Sequence, residues 1–162
     1  MLRPAPGFTL IELLVVVLIG AILATLAVLS VGPWQSEDDP ERQLARFAAL
    51  LDAQCEQALF QSRPRGIRLD ADGYDFWQAT ADGWARAPDD RLGRPRSWAE
   101  AAAPLLLIEG RRQQLEETAA TPQIVCQPLG EMTAFELAIG PAGERVRLSA
   151  SAGGRLSLDP DR

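Results

Sequence analysis

Histidine is absent from all 162 residues, and so is lysine; arginine alone carries the basic charge. Without histidine the chain lacks the commonest general base and the commonest metal ligand. Ser149 and Ser151 then have no imidazole to activate them, so nucleophilic hydrolysis has no support. The lack of lysine reads as nucleotide-composition bias rather than function. Cysteine is scarce: Cys55 and Cys126 stand far apart, in no CxxC or other metal-ligand spacing. No resident metal and no cofactor are expected. There is no glycine-rich phosphate loop, no internal repeat and no low-complexity tract. The net charge is −6. An acidic chain is a poor match for a nucleic-acid surface, which needs clustered Arg or Lys. The chain reads as no enzyme.

Near the start lies a long apolar run. From Phe8 to Val31 the only ionisable side chain is Glu12. At ~1.5 Å per residue this run makes a helix of about 36 Å, enough to cross a hydrocarbon core of roughly 30 Å with some tilt. A lone carboxylate there costs on the order of a few kcal/mol and is a functional hypothesis by default. The plain alternative is an ordinary signal-anchor with Glu12 snorkelling to the headgroups. A cleaved secretory signal fits poorly: the run is too long, and no small-x-small site precedes a polar boundary. Arg3 in the short leader Met1 to Gly7 holds that end on the cytoplasmic side, so the remainder faces outward. Removing leader and helix removes one charge of each sign, Arg3 and Glu12, and the exported part keeps −6.

Composition beyond the helix is that of a globular domain, with 47% hydrophobic and 23% charged residues in the whole chain, which excludes disorder throughout. Gly32 and Pro33 predict a kink or melted segment over 31–39. Asp39 before Pro40 is a helix start. From Pro40 to Ser62, Leu44, Phe47, Ala48, Leu51, Cys55, Ala58 and Leu59 recur at three- and four-residue steps and form one apolar stripe. Pro64 ends the helix. Short strands then follow: Ile67 to Leu69, Tyr74 to Trp77 and Trp84 to Arg86, with turns at Asp70 to Gly73 and Asp82-Gly83. Residues 86–96 read as a loop. Leu105 to Ile108 reads as a buried strand, and Glu109 to Pro122 as a mobile excursion. Ile124 to Cys126, Ala134 to Ile139, Val146 to Ser149 and Arg155 to Leu158 complete a strand-rich half.

Several groups invite sharper readings. Tyr74, Phe76, Trp77 and Trp84 could form a ligand platform, but aromatics in a hairpin read first as core and cross-strand packing. Asp70, Asp72, Asp75 and Asp82 could hold calcium, but they follow no EF-hand spacing and suit turns. Cys55 and Cys126 read first as two buried thiols. They are also a candidate disulfide if the domain lies in an oxidising compartment.

The stretch Gly7-Phe8-Thr9-Leu10-Ile11-Glu12-Leu13-Leu14-Val15-Val16 resembles the class III signal of type IV pilins and type II secretion pseudopilins. The resemblance implies cleavage after Gly7 by a prepilin peptidase, N-methylation of Phe8, and an assembly role for Glu12. It implies an α+β pilin-like fold: a long N-terminal helix, transmembrane in its first half, packed on antiparallel β-sheet. The divisions are a leader over 1–7, a transmembrane helix and filament core over 8–31, a periplasmic spine half over 32–62, and a strand-rich domain over 63–162. Asp90 to Arg96, Pro122 to Val125 and Gly130 to Leu137 are similar to segments of the H-type minor pseudopilins. Glu131 and the Arg91 to Arg96 loop are candidate subunit contacts, the loop reading otherwise as solvated surface. The implied function joins the tip of a pseudopilus to its shaft, supporting export of folded exoproteins across the outer membrane. Implied partners are the other minor pseudopilins, the major pseudopilin, the prepilin peptidase, the inner-membrane assembly platform and exoproteins. The implied location is the inner membrane, single-pass, with the C-terminal domain in the periplasm. The alternatives are a minor pilin of a type IV pilus and a membrane-anchored periplasmic binding domain outside any filament.

Overall fold

The computed structural model describes residues 10–30, 39–87, 91–117 and 119–160. The chain divides into two compact units, Met1–Gln35 and Ser36–Arg162. The leader, the Gly32-Pro33 break and Asp90 lie outside the described residues.

In the first unit, Leu10–Ser30 forms the helix α1, 21 residues long. A helix satisfies its own backbone, which an apolar chain requires wherever water is scarce. Every described side chain from Leu10 to Ile22 is exposed. Among the described residues no helix is long and apolar enough to cross a membrane.

The second unit starts with α2, Pro40–Gln61. Asp39 caps it, its carboxylate accepting the Glu41 amide at 3.1 Å, and Pro40 occupies the first turn. Ser62 turns left-handed at φ 50° and donates its amide to the Ala58 and Leu59 carbonyls, so the helix stops before Pro64. Leu44, Phe47, Leu51 and Ala58 are fully buried, as the stripe predicts. Leu59 departs from it, at 48% exposed. Leu59 lies on the flank of the stripe with Ala48 and Cys55, which are themselves only partly buried, while Ala58 in the same turn stays covered.

All strand pairs are antiparallel and form two sheets. The first holds β1 (Arg65–Leu69), β2 (Gly73–Thr80), β3 (Gly83–Arg86), β4 (Arg96–Ser97) and β7 (Ile124–Cys126), in the order β3-β2-β1-β7 with β4 also on β2. The second holds β5 (Leu105–Ile108), β6 (Arg111–Arg112), β8 (Phe135–Ile139), β9 (Val146–Ala150) and β10 (Leu156–Pro160), in the order β10-β9-β8-β5-β6. One face of α2 serves both sheets, contacting β1 and β7 of the first and β9 and β10 of the second.

Phe47 is the hub where these layers meet. Its ring lies 4.9 Å from Tyr74 in a T-shaped pair, 5.9 Å from Trp98 and 6.3 Å from Phe135. Tyr74 and Phe76 are buried as expected, whereas Trp77 and Trp84 are only partly buried. Strand alternation explains part of the split: Phe76 points to the α2 side, while Trp77 lies on the opposite face beside Arg68. Burial pushes the Tyr74 hydroxyl up to about 12, against the smaller opposing pull of Arg46 and Arg96.

The described residues of 109–122 make defined contacts with the sheets. Glu109 and Gly110, both at positive φ, turn β5 into β6. Further on, Arg68 donates to the Glu117 carbonyl at 2.7 Å and the Ala119 carbonyl at 3.3 Å. Arg68 is itself held by a two-point pair to Asp75, at 3.0 and 2.8 Å. The pair is buried, and the carbonyls satisfy donors that would otherwise be stranded. A basic side chain thus pins a polar segment to the outer face of β1.

Candidate functional site

The resemblance draws attention first to α1. Glu12 lies in the first turn of that helix and is exposed. A carboxylate in the first turn faces the positive end of the helix dipole. Around it Leu10, Ile11, Leu13 and Leu14 are 83%, 70%, 61% and 58% exposed, and Val15, Val16, Val17 and Leu18 continue the same surface. These positions fall on every side of a 3.6-residue helix, so no polar face is left for water. Gly7 and Phe8 lie outside the described residues.

Of the three segments singled out by resemblance, Pro122 to Val125 and Gly130 to Leu137 do architectural work in the second unit. In Pro122 to Val125, Pro122 is buried over Gly66, where any Cβ would collide with its ring. Gln123 uses its amide as an extra piece of strand: Oε1 accepts the Leu69 amide at 2.8 Å and Nε2 donates to the Leu69 carbonyl at 2.9 Å. Ile124 enters the core. In Gly130 to Leu137, Gly130 takes φ 90°, a conformation that suits glycine. Thr133 clamps Val125, its hydroxyl accepting the Val125 amide at 3.0 Å and its own amide reaching the Val125 carbonyl. Met132 bridges to Cys126 on one side and donates to the Ala152 carbonyl on the other. This segment therefore ties the two sheets together.

The loop from Arg91 to Arg96 is folded on itself rather than simply solvated. Arg96 donates to the carbonyls of Arg91, Arg94 and Pro95. Gln54 of α2 reaches the Leu92 carbonyl at 3.0 Å and accepts from Arg65 at 3.2 Å. Arg91, Arg94 and Pro95 remain exposed, as does Glu131. Gln54 itself is 1% exposed; its spacing, three after Leu51 and four before Ala58, puts it on the stripe, and its polarity keeps it from being counted among the stripe residues.

Cys55 of α2 and Cys126 of β7 are joined in a disulfide across a sequence separation of 71, with Cα atoms 5.0 Å apart. The reading as two separate thiols is replaced by a bridge. Helical and strand positions so distant in sequence meet only because α2 lies along the edge strand β7.

Of the acids considered for calcium, Asp70 and Asp75 are used elsewhere. Asp70 accepts the Asp72 and Gly73 amides and closes the turn into β2. Asp75 holds Arg68, Arg86 and the Trp77 indole. No group of three or more metal-ligand side chains occurs among the described residues. The Ser149 hydroxyl donates to the Ser157 carbonyl, and the Ser151 hydroxyl accepts the Arg155 amide.

Residues 3–28 match the prokaryotic N-terminal methylation motif family. Such a motif on an apolar helix, followed by an amphipathic helix on antiparallel sheets, defines a pilin-like protein. The chain is 32% identical over 160 residues to type II secretion system protein H of Pseudomonas aeruginosa, covering 92% of each chain. It is 28% identical to the protein of the same name from Aeromonas hydrophila, over 96% of this chain and 93% of that one. In structure it is similar to the minor pseudopilin EpsH from the type II secretion system of Vibrio cholerae, with a TM-score of 0.66 and 26% identity over 78% of this chain and all of that one. The chain belongs to the type II secretion system protein H family.

Proposed function

We propose that this protein is a minor pseudopilin anchored in the inner membrane, with its second unit in the periplasm, joining the tip of a short pseudopilus to its shaft. In that place it supports export of folded exoproteins across the outer membrane. Its partners are the other minor subunits, the major subunit, the prepilin peptidase and the assembly platform. The observation that carries the reading is the apolar surface of α1, exposed at each described side chain from Leu10 to Ile22, with one acid in its first turn. Such a helix is covered by lipid before assembly and by other helices after it.

The prepilin peptidase cuts after Gly7, and Phe8 becomes the methylated N-terminus. The new amine of a neighbouring subunit then pairs with Glu12. Within a bundle of apolar helices both charges are already out of water, so their attraction is weakly screened and sets the lateral register.

The test is Glu12→Ala in cells carrying the whole secretion machine. The expected result is normal removal of the leader, read as the mass of the mature chain, with loss of incorporation into the pseudopilus and of secretion. Wild-type secretion by that variant would refute the assembly role.

A further inference from the structure

At the end of α2 remote from the point where the chain enters it, the second unit leaves an apolar surface open. Leu59 is 48% exposed, Phe60 81% and Leu129 89%. Globular surfaces carry single exposed apolar residues freely, but here Leu59 lines a groove, and Phe60 and Leu129 are chain neighbours of its lining residues Leu59 and Gly130, which together mark a contact. The groove adjoins Leu59 and has a volume of about 390 Å³. Its floor is apolar, formed by Leu51, Met132 and Leu156. Its rim is acidic: Asp52, Glu56 and Glu131 line it, and no lining residue is basic. All three acids are exposed, and none takes part in an ion pair with an arginine of the described residues.

We infer that this groove receives an extended segment of the neighbouring pilin-like subunit, a segment that presents apolar side chains flanked by arginine or lysine. The choice of occupant rests on charge complementarity. An apolar segment with acidic flanks would meet three like charges at the rim, and a neutral one would leave them unmatched as the contact dries. The apolar residues supply the buried area, while the acids select the partner and its direction. The site is also built to hold its shape. The Cys55–Cys126 bridge lies at its wall, and Leu59 and Gly130 both line it. The inference rests on the filament reading above, and it assigns a surface of the second unit to contacts that α1 alone does not make.

The test uses the full-length chain in cells that assemble the pseudopilus. A photo-reactive benzoylphenylalanine is placed at Phe60, and separately at Leu14 of α1 as a report on filament entry. The expected Phe60 adduct joins a different pilin-like subunit, identified by mass spectrometry, through a peptide containing arginine or lysine. Glu56→Arg with Glu131→Arg should lower that adduct at least about tenfold while leaving the Leu14 adduct intact. If that pair fails to fold, Glu56→Gln with Glu131→Gln is read in its place, with a smaller loss of adduct. An undiminished Phe60 adduct in a folded charge variant overturns the inference. An adduct only to a second copy of this chain, or none at Phe60 while Leu14 still reports entry, also overturns it and leaves the filament reading standing. Loss of both adducts in the otherwise native chain overturns the two together.

Discussion

Helices α1 and α2 have nearly the same length, 21 and 22 residues, and opposite relations to their surroundings. α2 carries one apolar stripe and buries it on two sheets of its own chain. α1 is apolar on every side, and its described side chains are exposed from Leu10 to Ile22. The hydrophobic effect acts on both, but it is spent on folding in α2 and is still available for association in α1. A helix can thus be strongly apolar and contribute little to the stability of its own domain. Mutations that weaken the two helices should separate accordingly.

The largest effect is expected from Phe47→Ala. Removing the ring that touches Tyr74, Trp98 and Phe135 should destabilise the second unit by roughly 3–5 kcal/mol, measured by urea unfolding of the full chain in detergent. A loss under 1 kcal/mol would show that the hub is not central. Next comes the bridge. Reduction, or Cys55→Ser with Cys126→Ser, should cost about 2–4 kcal/mol, because the open chain regains the freedom of a long loop. Unfolding with and without reductant reads this directly.

The third effect depends on pH. Tyr74 is the only tyrosine, so tyrosinate absorbance reports it alone. Its ordinary value of 10 is raised to about 12 in the folded chain. Below pH 10 the phenol is neutral in both states and the folded state keeps its full stability. Between pH 10 and about 12 the unfolded chain ionises while the folded one resists, and stability falls by about 1.4 kcal/mol for each pH unit. Titration of the native protein with a midpoint at 10 would contradict the burial argument. The smallest effect on stability is expected from Leu14→Ala in α1, within about 0.5 kcal/mol. The same substitution should nevertheless reduce incorporation into the pseudopilus, and that contrast is the sharpest test of the division between the helices.

Much of α2 was legible in the sequence because its causes are local. Asp39 and Pro40 start it, the three- and four-residue spacing defines its stripe, and Pro64 forbids its continuation. The hairpins were legible for the same reason: Asp70 and Asp82-Gly83 are turn residues between alternating strands. The apolar run with Glu12 was equally plain. What remained hidden depends on partners far away in sequence. Gln54 is buried because the Leu92 carbonyl, 38 residues on, receives its amide. Trp98 joins the core from a polar loop because Phe47 and Tyr74 leave it a place 5.9 and 4.7 Å away. The segment 109–122 reads as mobile because its contacts, the pairing of β6 with β5 and the bonds from Arg68 of β1, do not show in its polar composition. Leu59 joins the stripe by its spacing, and its place on the flank leaves it exposed.

The bridge between Cys55 and Cys126 also has a mechanical meaning. It shortens the covalent path through the second unit. Tension entering at the start of α2 and leaving through β8 to β10 runs along residues 39–55, across the two sulfurs, and on from residue 126. The intervening residues, which include β1 to β6, lie on a side branch that carries no covalent load. A subunit pulled along its chain can therefore pass covalent load to β8 to β10 without routing it through the backbone of the hairpins of the first sheet.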